Sequence, residues 1–201
     1  MERCGGSKAR AIRCNGCCDD RAMREPPTLL LLTGPPGTGK STLAERGAEL
    51  LEAPVLGWDW AMAALRKFDP VQEGLRRLSY ANYRQVGWSI LWNLAIAQLR
   101  LGRSAVLDGV ARQDEVADTR DVARAAGARC FVVLTACSDE AVDRSRVEGR
   151  TRGIPGWYEL DWAHVADVLA RWEPPAGCDL HLDTVAPLES NTARLRDLLR
   201  R

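Results

Sequence analysis

Gly34-Pro35-Pro36-Gly37-Thr38-Gly39-Lys40-Ser41 matches the spacing G-x-x-x-x-G-K-[ST] in full. An apolar run, Thr28 to Leu32, leads into it, and a helical pattern from Ser41 to Leu51 leaves it. That strand–loop–helix setting gives the spacing its meaning. Glycines such as Gly34, Gly37 and Gly39 let the backbone curl until successive N–H groups point inward, and the helix presents its positive end to the same spot. Pro35 and Pro36 carry no N–H, so the donors come from Gly37, Thr38, Gly39, Lys40, Ser41 and Thr42. Lys40 is placed to reach the β- and γ-phosphates of a nucleotide, and the Ser41 hydroxyl to hold Mg²⁺. Only Lys8, Lys40 and Lys67 exist in the chain, so a lysine at this position is unlike its background.

The 201 residues suit one domain large enough to bury a core. A net charge of +1 with interspersed signs gives no electrostatic footprint for duplex nucleic acid. No apolar run approaches a membrane span and the start lacks a signal-peptide core, so a cytoplasmic setting is expected. Of seven cysteines, Cys4, Cys14, Cys17 and Cys18 crowd the start. Cys14-x-x-Cys17 lacks a second ligand pair at zinc spacing. Residues 1–27 read as a disordered, cysteine-containing tail, and 28–201 as the folded domain.

Along the domain, strands are expected at 28–33, 54–56, 104–108, 130–135 and 180–183. Helices are expected at 41–52, 61–67, 83–101, 114–126, from 138 or 139 to 148, at 160–172 and at 192–200, with 71–79 weakly helical after a break at Asp69-Pro70. Alternation of this kind predicts a parallel sheet covered on both faces, with ligands beyond the carboxyl ends of its strands.

Several residues fall at those ends. Asp108 closes Ala105-Val106-Leu107-Asp108, where a carboxylate can orient Mg²⁺ or its water; the alternative is an acid in a turn beside Gly109. Asp59 follows the second strand between Trp58 and Trp60. It can accept a proton from an acceptor hydroxyl, and burial between indoles would raise its pKa; the alternative is a helix N-cap. Arg144, Arg146, Arg150 and Arg152 straddle a charged helix and the loop after it. Guanidinium groups over the phosphates would neutralise charge spreading onto the transferred group; otherwise they form a solvated face. Trp88 and Trp92, one helical turn apart, read as core, whereas Trp58 and Trp60 could stack on a flat acceptor. Arg84 and Gln85 are further acceptor-binding candidates.

Leu30 to Ala44, Asp59, Val106-Leu107-Asp108-Gly109, Arg146-x-x-x-Arg150 and Leu182-Asp183-Thr184 together resemble the small P-loop kinases of the AAA_33 and zeta-toxin-like group, which includes polynucleotide 5′-kinase domains and chloramphenicol phosphotransferase. The resemblance covers about residues 28–201. It implies a three-layer α/β/α P-loop NTPase fold with a five-stranded parallel sheet in the order 2-3-1-4-5 and a short arginine-bearing lid. It also implies ATP, Mg²⁺ and phosphoryl transfer to a hydroxyl. Asp59 then corresponds to the base, Arg146 and Arg150 to the lid arginines, and the turn at Asp183-Thr184 to the part near adenine. One departure concerns the polynucleotide kinases, which carry an arginine a few residues after that aspartate; here none occurs before Arg66.

Three readings follow. The first is an ATP-dependent kinase acting on a small hydroxylated molecule. The second is a nucleic-acid 5′-hydroxyl kinase, and the third a module that binds or hydrolyses ATP without acceptor transfer. A GTPase is disfavoured by the missing N-K-x-D, a AAA+ motor by Gly109 after Asp108, and an ABC-type ATPase by the missing L-S-G-G-Q.

Overall fold

Thr28–Thr33 (β1) is buried along its whole length, as a central parallel strand with both faces covered must be. The computed structural model describes residues 25–201. The expected tail, up to residue 24 and including Cys14-x-x-Cys17, lies outside the described residues. The further strands are β2 (Val55–Gly57), β3 (Ala105–Asp108), β4 (Arg129–Ala136) and β5 (Leu180–Asp183). All pair in parallel in the order β2-β3-β1-β4-β5, the order implied by the resemblance.

The helices are α1 (Lys40–Leu51), α2 (Trp58–Leu65), α3 (Asp69–Arg76), α4 (Tyr80–Leu99), α5 (Gln113–Ala125), α6 (Glu140–Gly149), α7 (Trp162–Arg171) and α8 (Leu188–Leu199). The run Leu29–Leu32 sends alternate side chains to opposite layers. Leu29 and Leu31 pack with Trp88, Leu91 and Trp92 of α4 and with Val116 of α5. Leu30 and Leu32 pack with Leu43 of α1 and with Leu195 and Leu198 of α8. Each fully buried leucine contributes about 1.5–3 kcal/mol, so the strand that carries the loop is also the strand that anchors the core. Trp88 and Trp92 are core residues, stacked at 6.0 Å. The indole N–H of Trp92 donates to Thr119 Oγ1 at 3.0 Å, leaving no buried donor unpaired there.

Register then assembles the site edge. Leu32 and Gly57 both lie level with Asp108, and Ala136 lies level with Asp183. The ends of all five strands, and the reversal of winding on either side of β1, therefore face one side, where open α/β sheets bind ligands.

Among the boundaries that differ from the sequence reading are four helix starts. Helix α2 begins directly after β2, with Gly57 as its N-cap, so Asp59 lies in the first turn and is not the cap. Asp69-Pro70 opens α3 instead of ending a segment, because proline's fixed φ and missing N–H suit a first helical turn. Helix α4 starts at Tyr80, where the Ser79 side chain accepts from Asn82 N–H. Helix α8 starts at Leu188, not Thr192.

Candidate active site

The phosphate-loop motif forms a tight bend between β1 and α1. Gly34, Gly37 and Gly39 have φ of 144°, 95° and 72°, values that L side chains rarely adopt. The Gly39 N–H donates to Gly37 O at 2.8 Å. Thr38 Oγ1 donates to Pro35 O at 2.8 Å and meets Thr135 Oγ1 at 2.9 Å. Thr135 Oγ1 donates in turn to Thr33 O at 3.2 Å. A Cβ on Gly34 would lie 2.2 Å from Thr135 O, so glycine is required where the loop crosses β4. No acidic side chain occupies the first turn of α1, leaving its positive end free for an anion.

Lys40 is buried, and its Nζ donates to Pro35 O at 2.7 Å. Burial pushes its pKa down, while Asp108, Asp59 and Asp143 push it up. The same environment raises the Asp108 carboxyl: burial is the main cause, opposed by Lys40 and by a hydrogen bond with the Ser41 side chain. Lys40, Ser41, Asp108 and Asp59 are thus one electrostatic group, drawn from the ends of three strands. Two hard oxygen donors, Ser41 and Asp108, fit Mg²⁺, which usually takes one or two protein oxygens together with phosphates and waters. Among the described residues no cluster of three or more His, Cys, Asp and Glu is placed to hold a metal.

The indole pocket expected around Asp59 is absent. Trp60 is 57% exposed. Asp59 Oδ2 instead accepts from Arg152 Nη1 at 2.5 Å, and Arg152 Nη2 donates to Tyr158 O at 2.9 Å. The Glu159 carboxylate accepts from the N–H groups of Arg152 and Gly153, which fixes the loop that carries this guanidinium.

The arginines divide by position. Arg144 pairs with Glu148 on an exposed face. Arg146, expected over the phosphates, is turned to the β5 end. Its Nη1 donates to Thr184 Oγ1 at 3.0 Å and its Nη2 to Thr184 O at 2.8 Å. Arg150 stands near Lys40, Asp143 and Asp59, and burial followed by Arg152 lowers its pKa. Thr184 also abuts the loop: its Cγ2 would lie 3.4 Å from a Cβ on Gly39. Asp183 Oδ1 accepts from the N–H of Ser138 at 3.2 Å and of Val185 at 3.1 Å. A hydrogen bond with the Ser138 side chain, followed by those from the Val185 and Ser138 N–H groups, holds its carboxyl below the usual range, and these contacts tie the loops after β4 and β5 together.

Arg84 is not exposed to an acceptor. It is 8% exposed and donates to Glu115 Oε1 through Nε at 3.0 Å and Nη2 at 2.7 Å, and to Val110 O at 2.7 Å. Asp143, absent from the sequence candidates, is 3% exposed. Its Oδ1 has no hydrogen-bond partner and would lie 2.2 Å from a Cβ on Gly37. Burial raises its pKa, opposed by Lys40, Arg146 and Arg150. The only sequence signal for it was its spacing of three before Arg146, on the same helix face.

The AAA_33 family model, described as an AAA domain, matches residues 29–175. No curated protein matches the chain in sequence. Among solved structures, a gluconokinase from Sinorhizobium meliloti 1021 is 20% identical, with a TM-score of 0.63, covering 89% of this chain and 94% of that one. A sugar kinase from Janibacter sp. HTCC2649 is 19% identical at a TM-score of 0.62, covering 87% and 95%. The Mycobacterium tuberculosis APS kinase CysC, solved with AMPPNP and APS, is 22% identical at 0.57, covering 89% and 100%. These likenesses are to the fold. With the family model spanning the loop, Asp59, Asp108 and the arginine-bearing segment, the chain belongs to the AAA_33 family.

Proposed function

We propose that this protein is an ATP-dependent phosphotransferase that moves the γ-phosphate to a hydroxyl of a small molecule. The observation that carries the proposal is the convergence of Lys40, Asp59, Asp108 and Arg150 beside a loop whose backbone is already bent for phosphates. In this reading Gly37 through Thr42 donate N–H groups to the phosphates, Gly34 permits the bend, and Lys40 contacts the β- and γ-phosphates. Ser41 and Asp108 would hold Mg²⁺, whose charge offsets that of the phosphates. Asp59 accepts the proton of the acceptor hydroxyl, whose oxygen bonds to the γ-phosphorus as the bridge to ADP breaks. Arg150 and Arg152 stand where negative charge develops. Arg146, Asp183 and Thr184 shape the side that receives the adenine.

The test is transfer of label from γ-labelled ATP to a panel of nucleosides, oligonucleotide 5′ ends, sugars, sugar acids and antibiotics. Label is expected in a small acceptor, and Lys40→Ala is expected to remove it by at least about 10²-fold with the circular-dichroism spectrum retained. Label appearing only in free phosphate would overturn the kinase reading, and label confined to oligonucleotides would replace the small acceptor with a nucleic-acid end.

A further inference from the structure

Aromatic rings in contact with one another lie about α2 and the cation at its end. Trp157 and Tyr158 stack at 5.0 Å. Trp58 meets Tyr83 and Trp157 edge-on at 5.7 and 6.1 Å, and its indole N–H donates to Arg84 O at 3.2 Å. Arg66, the C-cap of α2, lies over Trp157 at 5.0 Å and Tyr158 at 5.5 Å. Two of these rings, Trp157 and Tyr158, therefore hold a cation.

Arg66 also lines a cavity of about 250 Å³, with Gln72, Leu75, Arg76, Tyr83 and Tyr158. Its wall contains two guanidinium groups and no carboxylate. Among the described residues no acid pairs with Arg66. Arg76 has only Glu73, at 3.7 Å on the solvent side, and Glu73 is held more closely by Arg77 at 3.1 Å. A guanidinium laid on aromatic faces is partly stripped of water and fixed in orientation, while its N–H edge stays available for a planar or tetrahedral anion.

The cavity adjoins the candidate base. Arg152 bonds both Asp59 and Tyr158 O. Burial raises the Tyr83 and Tyr158 phenols, and at both the Asp59 charge adds to the rise while Arg66 opposes it.

We propose that Arg66, assisted by Arg76, binds an anionic group on the acceptor, so that the substrate is a compact alcohol carrying its own carboxylate, phosphate or sulfate. The volume falls just below the range of about 300–1,000 Å³ common for ligand pockets, which suits a short hydroxy acid or sugar ester. This assignment rests on the kinase reading.

The experiment titrates the full chain, saturated with AMPPNP to fill the phosphate loop, with inorganic phosphate, sulfate and the series glycerol, glycerate and glycerol 3-phosphate. Wild type is expected to bind the anions saturably and glycerol not at all, with the glycerate and glycerol 3-phosphate arms separating carboxylate from phosphate preference. Arg66→Ala and Arg66→Gln should each weaken anion binding by at least about tenfold with AMPPNP affinity unchanged. Absence of saturable anion binding, or equal affinity in both variants, would overturn the proposal. Anion binding that depends on Arg66, with label from ATP reaching no hydroxyl in the acceptor panel, would instead overturn the kinase reading and the acceptor role with it.

Discussion

Arg152 Nη1 donates to Asp59 Oδ2 across 93 residues of sequence, at 2.5 Å. The contact joins the end of β2 to the loop after α6, so the candidate base and a candidate charge-stabilising group are positioned by one another. The pair is partly exposed, with side-chain accessibilities of 14% for Arg152 and 38% for Asp59, and its contribution to stability is correspondingly small. Its consequence belongs to the chemistry.

Asp59→Asn is expected to leave ATP affinity unchanged and to lower acceptor transfer by about 10²-fold or more, the size of effect for a lost general base. Arg152→Ala should also lower kcat, and the double variant should lose less than the product of the single losses, since the two groups share a contact. Steady-state kinetics on the four proteins would check this. Unchanged transfer in Asp59→Asn would reduce Asp59 to a favourable charge in the first turn of α2.

Gly34→Ala should destabilise the fold by about 2–4 kcal/mol and abolish ATP binding, because backbone strain and a backbone collision act together. The colliding atom is Thr135 O, which is fixed in β4 and cannot rotate away. Gly102→Ala is the control: its φ is 72° but nothing lies within 4 Å of the added carbon, so only the left-handed backbone cost of about 1–2 kcal/mol remains. Urea denaturation of both variants would separate the two terms.

Glu115→Ala should cost about 3–5 kcal/mol, since it leaves the buried Arg84 guanidinium without its partner. Glu115→Gln keeps an oxygen acceptor and should cost less. Thermal unfolding would show the order wild type, Gln, Ala, and a reversed order would indicate that Arg84 reaches water when Glu115 is removed.

Burial pushes the Cys130 thiol up to about 11, against an ordinary value near 8.5. Well below about pH 8.5 the thiol is neutral in folded and unfolded chains alike, and its contribution to stability is fully present and independent of pH. As pH rises towards 11 only the unfolded chain ionises, so this contribution to stability is progressively lost. Alkylation of Cys130 at pH 8 should accordingly be much slower in the native protein than in the chain unfolded in urea, measured by mass spectrometry. Equal rates would place Cys130 in an exposed setting.

Reading along the chain located the phosphate loop, the five strands and the strand-end acids, because each depends on short-range rules. Glycine spacing fixes where the backbone can bend, and an unbroken apolar run fixes which strand is central. What the chain order left open was which distant loops meet. Arg146 and Arg150 sit four apart on the same lid segment, yet one is turned to Thr184 while the other stands near Lys40. Arg84, an acceptor-binding candidate by sequence, is buried on Glu115, and of the two tryptophans read as an acceptor platform Trp58 packs edge-on against Tyr83 and Trp157 while Trp60 is exposed. A charge or a ring has no preferred partner in one dimension. Its partner is chosen by whichever opposite charge or open face the sheet order brings within a few ångströms, so tertiary structure alone decided the wiring of the site.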